Sequence, residues 1–455
     1  MLQASEYSMR DYLSWYHKTS DFSQVEVRKK FKKTKKSLLV LSIFWLIIVV
    51  IFSAFVFASF QNYYTTLFLI VFLLLPFFLP YTILIPLLLI KYSIQIPIEK
   101  YIIAKAKHIL KNHKAIKIAV AGSYGKTSMR EMLKTVLEQG KKVSAPPHSY
   151  NTPLGISTFI NTLTGDEDVL IFEFGEYYPG DIKKLCDLVE PDFGVITGIN
   201  QAHLQKFKSL EKTVKTIYEL ADYLGSKPLY VNGDSVLAKE YVRQGNIVYS
   251  NTGVEEWNVT GQETSLEGTA FVLENGQQSI RLSSSLLGLH QVGPLAVTVR
   301  IAMRLGLTTE QSVEGVRQTK PFAHRMEPST NSDGVTIIDD SYNGNPDGVN
   351  VAINFLASLE GKRRFYITPG LVEMGSQTKD IHIEIGKQLA SAKIEKVVLI
   401  KDSVTPYIEE GLHKAGYNGE IIWFDDALTA LSSLRHITVA GDVVLLQNDW
   451  PDQYK

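Results

Sequence analysis

One cysteine in 455 residues is the chain's sharpest scarcity. Cys186 has no second thiol and no neighbouring ligand at metal-binding spacing. That excludes an internal disulfide and fits the reducing cytosol. Net charge is equally missing, because 47 Lys and Arg balance 47 Asp and Glu. Composition therefore gives no electrostatic footprint for nucleic acid. No internal repeat and no low-complexity tract is present. The length exceeds a single core and implies two or three domains.

Charge is also absent locally, from Ser37–Phe60 and again from Thr65–Ile90. Each run is long enough to cross a hydrocarbon layer of about 30 Å. Only Gln61, Asn62, Tyr63 and Tyr64 separate them. The runs are too long and begin too late for a signal peptide; a buried soluble hairpin is the alternative. Pro76, Pro80 and Pro86 are expected to bend or break the second span. Before the first span lies Arg28-Lys29-Lys30-Phe31-Lys32-Lys33-Thr34-Lys35-Lys36, and after the second come Lys91, Lys100, Lys105 and Lys107. The turn between the spans carries no cation, so the positive-inside bias places both ends in the cytoplasm. The expectation is a two-span anchor in the cytoplasmic membrane with its catalytic domains in the cytoplasm.

Past the anchor, Lys117 and the short apolar run Ile118–Ala121 lead into Gly122-Ser123-Tyr124-Gly125-Lys126-Thr127-Ser128, and a helical pattern follows from Met129 to Leu137. Glycines turn backbone N–H groups towards phosphate, and the next helix adds its positive end. Lys126 is placed to reach β/γ-phosphate oxygens and the Thr127 hydroxyl to ligate Mg²⁺. The full eight-residue pattern requires glycine at position 120, which is Val. What remains is Gly-x-x-Gly-Lys-Thr, against the plain alternative of an ordinary strand–turn–helix connection.

Buried-strand patterns at Asp168–Phe174, Phe193–Ile199 and Pro228–Asn232 alternate with helical ones at Met129–Glu138 and Leu210–Leu224. This is the signature of an α/β domain with a mostly parallel sheet. Turn-rich alternation from Ile247 to Leu286 predicts a small β extension, closed by helices at Leu295–Leu305 and Thr309–Thr319. A second alternation begins near Gly334, with strands at Val335–Asp339, Arg364–Thr368, Lys396–Ile400, Ile421–Phe424 and Asp442–Leu446. The expected division is a basic segment 1–36, a hairpin 37–91, a linker 92–114, a P-loop domain 115–325 and a smaller Rossmann-like domain 326–455.

Several short runs follow the loop in order: Asn151-Thr152-Pro153-Leu154-Gly155, Glu173-Phe174-Gly175-Glu176, Thr197–Leu204 with His203, Asn232-Gly233-Asp234, His324-Arg325-Met326-Glu327 and Asp339-Asp340-Ser341-Tyr342-Asn343-Gly344-Asn345-Pro346. As an ordered set, from about Ile116 to the C-terminus, they resemble the Mur ligase family of ATP-dependent amide ligases of cell-wall peptide assembly. Within it, the last run and Glu373-Met374-Gly375 with His382 are most similar to the MurF branch, which adds D-alanyl-D-alanine.

The resemblance implies that ATP phosphorylates a carboxylate and an amine attacks the acyl phosphate. It implies Lys126, His203 and Arg325 as catalytic residues, with Thr127, Glu173 and His203 holding Mg²⁺. Gly122–Ser128, His290, Arg325, Asp339 and Asn343 would contact ATP, and Asn151, Thr152, Asn345 and Glu373 the substrates. For Asp339 and Asp340 the alternative is helix capping and turn formation before Pro346. The partners implied are a cell-wall peptide precursor and an amino-acid or dipeptide amine donor.

Three departures stand out. Ile217 takes the place of the family's carbamylated lysine, and Lys215 lies about 200° away around a helix. His290-Gln291-Val292-Gly293-Pro294 keeps the histidine of the adenine-side motif and loses both amides. The apolar hairpin occupies the place of the domain that grips the UDP-sugar, which points to a lipid-linked or membrane-proximal acceptor. A membrane-bound poly-γ-glutamate or other cell-surface ligase, and a catalytically silent membrane scaffold, are the competing readings.

Overall fold

Runs such as Ile118–Ala121 and Val169–Phe172 are apolar and buried at every position, so they fold as strands covered on both faces rather than as half-solvated ones. A computed structural model shows how they assemble. It describes residues 2–3, 7–19, 31–60, 77–147, 150–200, 209–342, 344–372 and 374–447. The chain divides into two units, residues 1–104 and 105–455.

The first unit is helical: α1 (Met9–Lys18), α2 (Lys35–Phe60), α3 (Leu84–Ile90), a π-helical turn Lys91–Gln95 and the start of α4 (Ile96–Asn112). Two helical stretches, Lys35–Phe57 and Phe77–Asn112, are long and apolar enough to cross a bilayer. Trp45 and Leu46 are each 62% exposed among the described residues. Pro86 lies within α3 and the helix continues past it, taking up irregularity in the π turn. The expected linker 92–114 is therefore mostly helix. Part of the second run, including Pro76, lies outside the described residues.

The second unit holds two sheets. The first has ten strands: β1 (Ile116–Ala121), β2 (Val143–Ser144), β3 (Val169–Glu173), β4 (Phe193–Ile196), β5 (Leu229–Asn232), β6 (Ile247–Ser250), β7 (Gly253–Val254), β8 (Trp257–Ser265), β9 (Gly268–Glu274) and β10 (Ser279–Ser284). Their order is β10-β9-β8-β7-β6-β5-β4-β1-β3-β2. The β2–β6 half, with β1 inside it, is parallel, and β6 to β10 pair antiparallel. The expected β extension thus continues the same sheet.

Against this sheet pack α5 (Lys126–Leu137), α6 (Pro153–Ile160), α7 (Asp181–Val189), α8 (Leu210–Leu224), α9 (Val236–Glu240), α10 (Val292–Arg304) and α11 (Thr309–Gln318). Met129, Leu133 and Val136 recur at helical spacing on α5 and are buried against Ile118, Val120 and α10.

The second sheet has the order β11-β12-β16-β13-β14-β15. Its strands are β11 (Glu327–Thr330), β12 (Thr336–Asp340), β13 (Arg364–Thr368), β14 (Lys396–Ile400), β15 (Glu420–Phe424) and β16 (Val443–Gln447), with α12 (Pro346–Ser358), α13 (Thr378–Ser391), α14 (Thr405–Lys414) and α15 (Ala427–Ile437) on its faces. Only β11, which the sequence reading misses, runs antiparallel.

β1 lies between β3 and β4, and the connections leaving the adjacent β1 and β4 run to opposite sides of the sheet. In open α/β sheets that switch point is where a ligand crevice opens. The loop Gly122–Gly125 sits there.

Candidate active site

The loop between β1 and α5 is shaped by two glycines. Gly125 (φ 75°) is the left-handed cap of α5. Gly122 (φ 145°) passes so close to its neighbours that a Cβ there would sit 2.4 Å from the Thr197 hydroxyl and 2.8 Å from the Gly198 carbonyl. The loop is laced to the β4 end: the Ser123 N–H donates to the Gly198 carbonyl at 2.7 Å, and the Thr197 hydroxyl donates to the Tyr124 carbonyl.

A cleft of about 1040 Å³ opens over this loop. One wall carries Ser123–Ser128, Asn151 and Glu173; the other carries Arg325, Asp340, Tyr342 and Asn345 from the second-sheet side. The Ser123 hydroxyl and His290 Nδ1 are buried in it without a hydrogen-bond partner among the described residues. Such groups are ready to meet a polar ligand. Burial holds the His290 imidazole down to about 4, so it faces the cleft neutral.

Thr127 is on the first turn of α5 and Glu173 on the last position of β3. The Thr127 hydroxyl donates to Glu173 at 2.9 Å, and Arg130 lies 3.5 Å from the same carboxylate. The pair fits Mg²⁺, which takes oxygen ligands, keeps several waters and needs only one or two carboxylates beside substrate phosphates. No group of three acidic, His or Cys side chains among the described residues forms a closed metal cage. His203, Asn343 and Glu373 lie outside the described residues.

Lys126 is not free. Its Nζ donates to the Glu176 carboxylate at 3.0 and 3.2 Å and to the Gly122 carbonyl. The two side chains are 12% and 2% exposed. Glu176 stands in the quoted Glu-Phe-Gly-Glu run, yet the sequence reading gives it no role. Nothing in that run shows that its carboxylate meets the loop lysine.

Arg325 projects into the cleft from a tight segment. Its flanking residues His324 (φ 62°) and Met326 (φ 48°) are both left-handed, which costs about 1–3 kcal/mol each. Its guanidinium lies 4.8 Å from the Tyr342 ring centroid. Asp339 and Asp340 diverge: Asp339 accepts from the Ser341 N–H (3.1 Å) and pairs with His324 Nδ1 at 2.7 Å, away from the cleft lining. Asp340 lines the cleft and accepts from Gln447 Nε2 at 2.7 Å. Of the two, Asp340 lines the cleft and Asp339, expected at the nucleotide, does not.

Burial raises Asp340 to about 6, offset in part by Gln447 and Arg325. The folded state thus prefers it protonated. Its contribution is fully present below the unfolded value near 4 and is lost as pH rises through 6. Asp340→Asn is expected to match the parent near pH 4 and to be more stable at pH 8, by at most about 3 kcal/mol. Denaturation midpoints across that range check it; a gain that shrinks with pH would contradict the assignment.

Two expected substrate residues serve as caps. Thr152 accepts from the Gly155 N–H at 3.2 Å, and Asn345 from the Gly348 N–H at 3.0 Å. Asn345 also accepts from Asn200 at 3.0 Å, joining the two sides of the cleft. Asn151 and Asn345 line the cleft; Thr152 does not.

Ile217 is wholly buried on α8. Neither neighbour replaces a lysine there: Lys215 is 71% exposed and pairs with Glu211, while Glu219 accepts from the Gly180 and Lys183 N–H groups at the start of α7. Ile217→Lys is therefore expected to destabilise the protein by about 3 kcal/mol or more through an unpaired buried charge, with no gain in metal binding. Chemical denaturation and metal titration check both parts.

The fold and the cleft have known counterparts. Residues 120–300 match the Mur ligase middle domain and residues 324–447 the Mur ligase, glutamate ligase domain. The chain belongs to the Mur ligase family of ATP-dependent ligases. Among curated proteins it is 27% identical over 362 residues to the UDP-N-acetylmuramoyl-tripeptide--D-alanyl-D-alanine ligase of Mycobacterium leprae, covering 72% of this chain and 70% of that one. The Bacillus subtilis enzyme of the same name is 25% identical, with 72% of each covered. MurF from Acinetobacter baumannii superposes with a TM-score of 0.68 at 21% identity over 78% of each chain. MurF from Thermotoga maritima, solved with ADP, gives 0.68 at 22% identity over 78% of this chain and 81% of that one. These structural likenesses establish the fold.

Proposed function

We propose that the chain is an ATP-dependent ligase that adds D-alanyl-D-alanine to a muramoyl tripeptide, and that its acceptor is lipid-linked. The observation that carries the ligase reading is the facing of Lys126, Thr127 and Glu173 by Arg325 across one cleft at the switch point of a parallel sheet. The names of the relatives supply the dipeptide and the tripeptide.

The acceptor carboxylate attacks the γ-phosphorus of ATP, and ADP leaves. The amine then attacks the acyl carbon, and phosphate departs as the amide forms. Lys126 and Arg325 offset the negative charge that moves between the phosphorus and its oxygens. Magnesium held by Thr127 and Glu173 would add charge neutralisation at the phosphates. Thr127 orients that carboxylate, and the opposing wall with Arg325 limits water, to which an acyl phosphate is vulnerable.

The lipid-linked acceptor is supported by the two apolar helical stretches. Confinement of enzyme and acceptor to one surface raises their effective concentration. The test is ADP release by full-length protein in detergent with Mg²⁺, ATP and D-alanyl-D-alanine, against UDP-linked and lipid-linked muramoyl tripeptides. Preference for the lipid-linked acceptor is expected. Equal use of the soluble acceptor, unchanged when residues 1–110 are deleted, sinks the membrane part. Stimulation by glutamate instead of the dipeptide reassigns the donor.

A further inference from the structure

Every catalytic group so far serves ATP, yet the strongest contact made by the loop lysine is with the protein itself. Lys126 Nζ is held by both oxygens of Glu176 and by the Gly122 carbonyl. A lysine in that position cannot keep the full Glu176 pair and also direct its N–H groups to a β/γ-phosphate. We infer that Glu176 is a positioning residue for Lys126: an internal anion that occupies the lysine until nucleotide arrives, so that nucleotide binding here is an exchange of carboxylate for phosphate. The inference rests on the nucleotide reading of the loop.

The geometry makes this exchange costly. Glu176 lies three residues past Glu173 on the strand-to-helix connection, and its side chain is 2% exposed. The charged groups that face it are Lys126 on α5, which stabilises its anionic form, and Glu173 at the β3 end, which opposes it. Burial pushes its carboxyl up, so Lys126 is the counter-ion that keeps it charged. When the lysine turns to phosphate, a buried carboxylate beside a second carboxylate loses its partner. Part of the binding free energy offsets that loss. Affinity for nucleotide is thereby set below what the loop geometry alone would give, and the released nucleotide leaves behind a lysine already neutralised.

The test uses detergent-solubilised full-length protein and titrates ADP and ATP, each with and without Mg²⁺, into the parent, Glu176→Gln and Glu176→Asp. Glu176→Gln is expected to tighten both nucleotides by about tenfold, the lower end of coupling seen for close charge pairs. Glu176→Asp, which keeps the charge, is expected to bind like the parent. In a Lys126→Met background the gain from Glu176→Gln is expected to vanish, because the effect acts through the lysine. A merely structural role for Glu176 would move all backgrounds alike.

Unchanged or weaker binding by folded Glu176→Gln overturns the inference while leaving the nucleotide reading intact. Weakening confined to the Mg²⁺ titrations overturns it in favour of a metal-ligating Glu176. Absence of binding by the parent and the variant together overturns the nucleotide reading and the inference with it.

Discussion

Lys126→Met is expected to lower ADP formation by about 10³-fold, the scale of removing one preorganised group that meets charge as it develops. It is also expected to destabilise the protein, and the two losses have different origins. Activity falls because no other side chain of the loop carries a cation towards the phosphates. Stability falls because Glu176 is left 2% exposed without the cation that pairs with its charge. Removing one member of a buried pair costs about 3–5 kcal/mol.

The pH dependence separates these effects. Burial already raises Glu176, and loss of Lys126 removes the largest influence that lowers it. A carboxyl raised in the folded state contributes stability that is present below its unfolded value and is lost as pH rises through the folded value. The deficit of Lys126→Met should therefore be small in acid and grow towards neutral pH. Lys126→Met/Glu176→Gln should recover most of the stability and none of the activity. Thermal denaturation from pH 4 to 8 beside ADP assays checks this. A deficit independent of pH would show that Glu176 is not the group left unpaired.

Much of this site is legible in the chain because local chemistry demands it. Glycine adopts φ 75° at position 125 without strain, and at position 122 any Cβ would collide with Thr197 and Gly198. Apolar runs of four to six residues are too short for helices and fall as buried strands, and α8 falls at Leu210–Leu224 because its apolar residues keep a helical period. What escapes is anything set by direction. Asp339 and Asp340 are adjacent on β12, so their side chains leave opposite faces of the sheet. The sequence offers both, and only the packing of β16 and the Gln447 contact show that Asp340 faces the cleft.

Thr152 and Asn345 carry the same ambiguity, since a residue that precedes a proline-led helix is chemically suited to capping and to ligand contact alike. Asn345 does line the cleft while capping α12, and Thr152 only caps. Glu176 is the deepest omission. Its partner lies fifty positions away on another element, a proximity that no spacing rule encodes.

Arg325→Lys is expected to reduce turnover by about 10²-fold or more while nucleotide binding to the opposite wall is retained. The substitution keeps the charge, so the argument turns on shape. Arg325 lies over Tyr342 at 4.8 Å, where a planar guanidinium stacks and still presents a fork of donors to phosphate. An ammonium cannot do both. The left-handed residues on either side fix the direction of the chain, so a shorter-reaching lysine head cannot be compensated by movement of the segment. The Lys126–Thr127 wall does not depend on Arg325, and ADP should titrate with an affinity near that of the parent. The split between lost turnover and kept binding distinguishes a group acting on the moving phosphoryl from one that only holds ATP. Turnover within about threefold of the parent would remove Arg325 from that role and leave it as the counter-ion of Asp340.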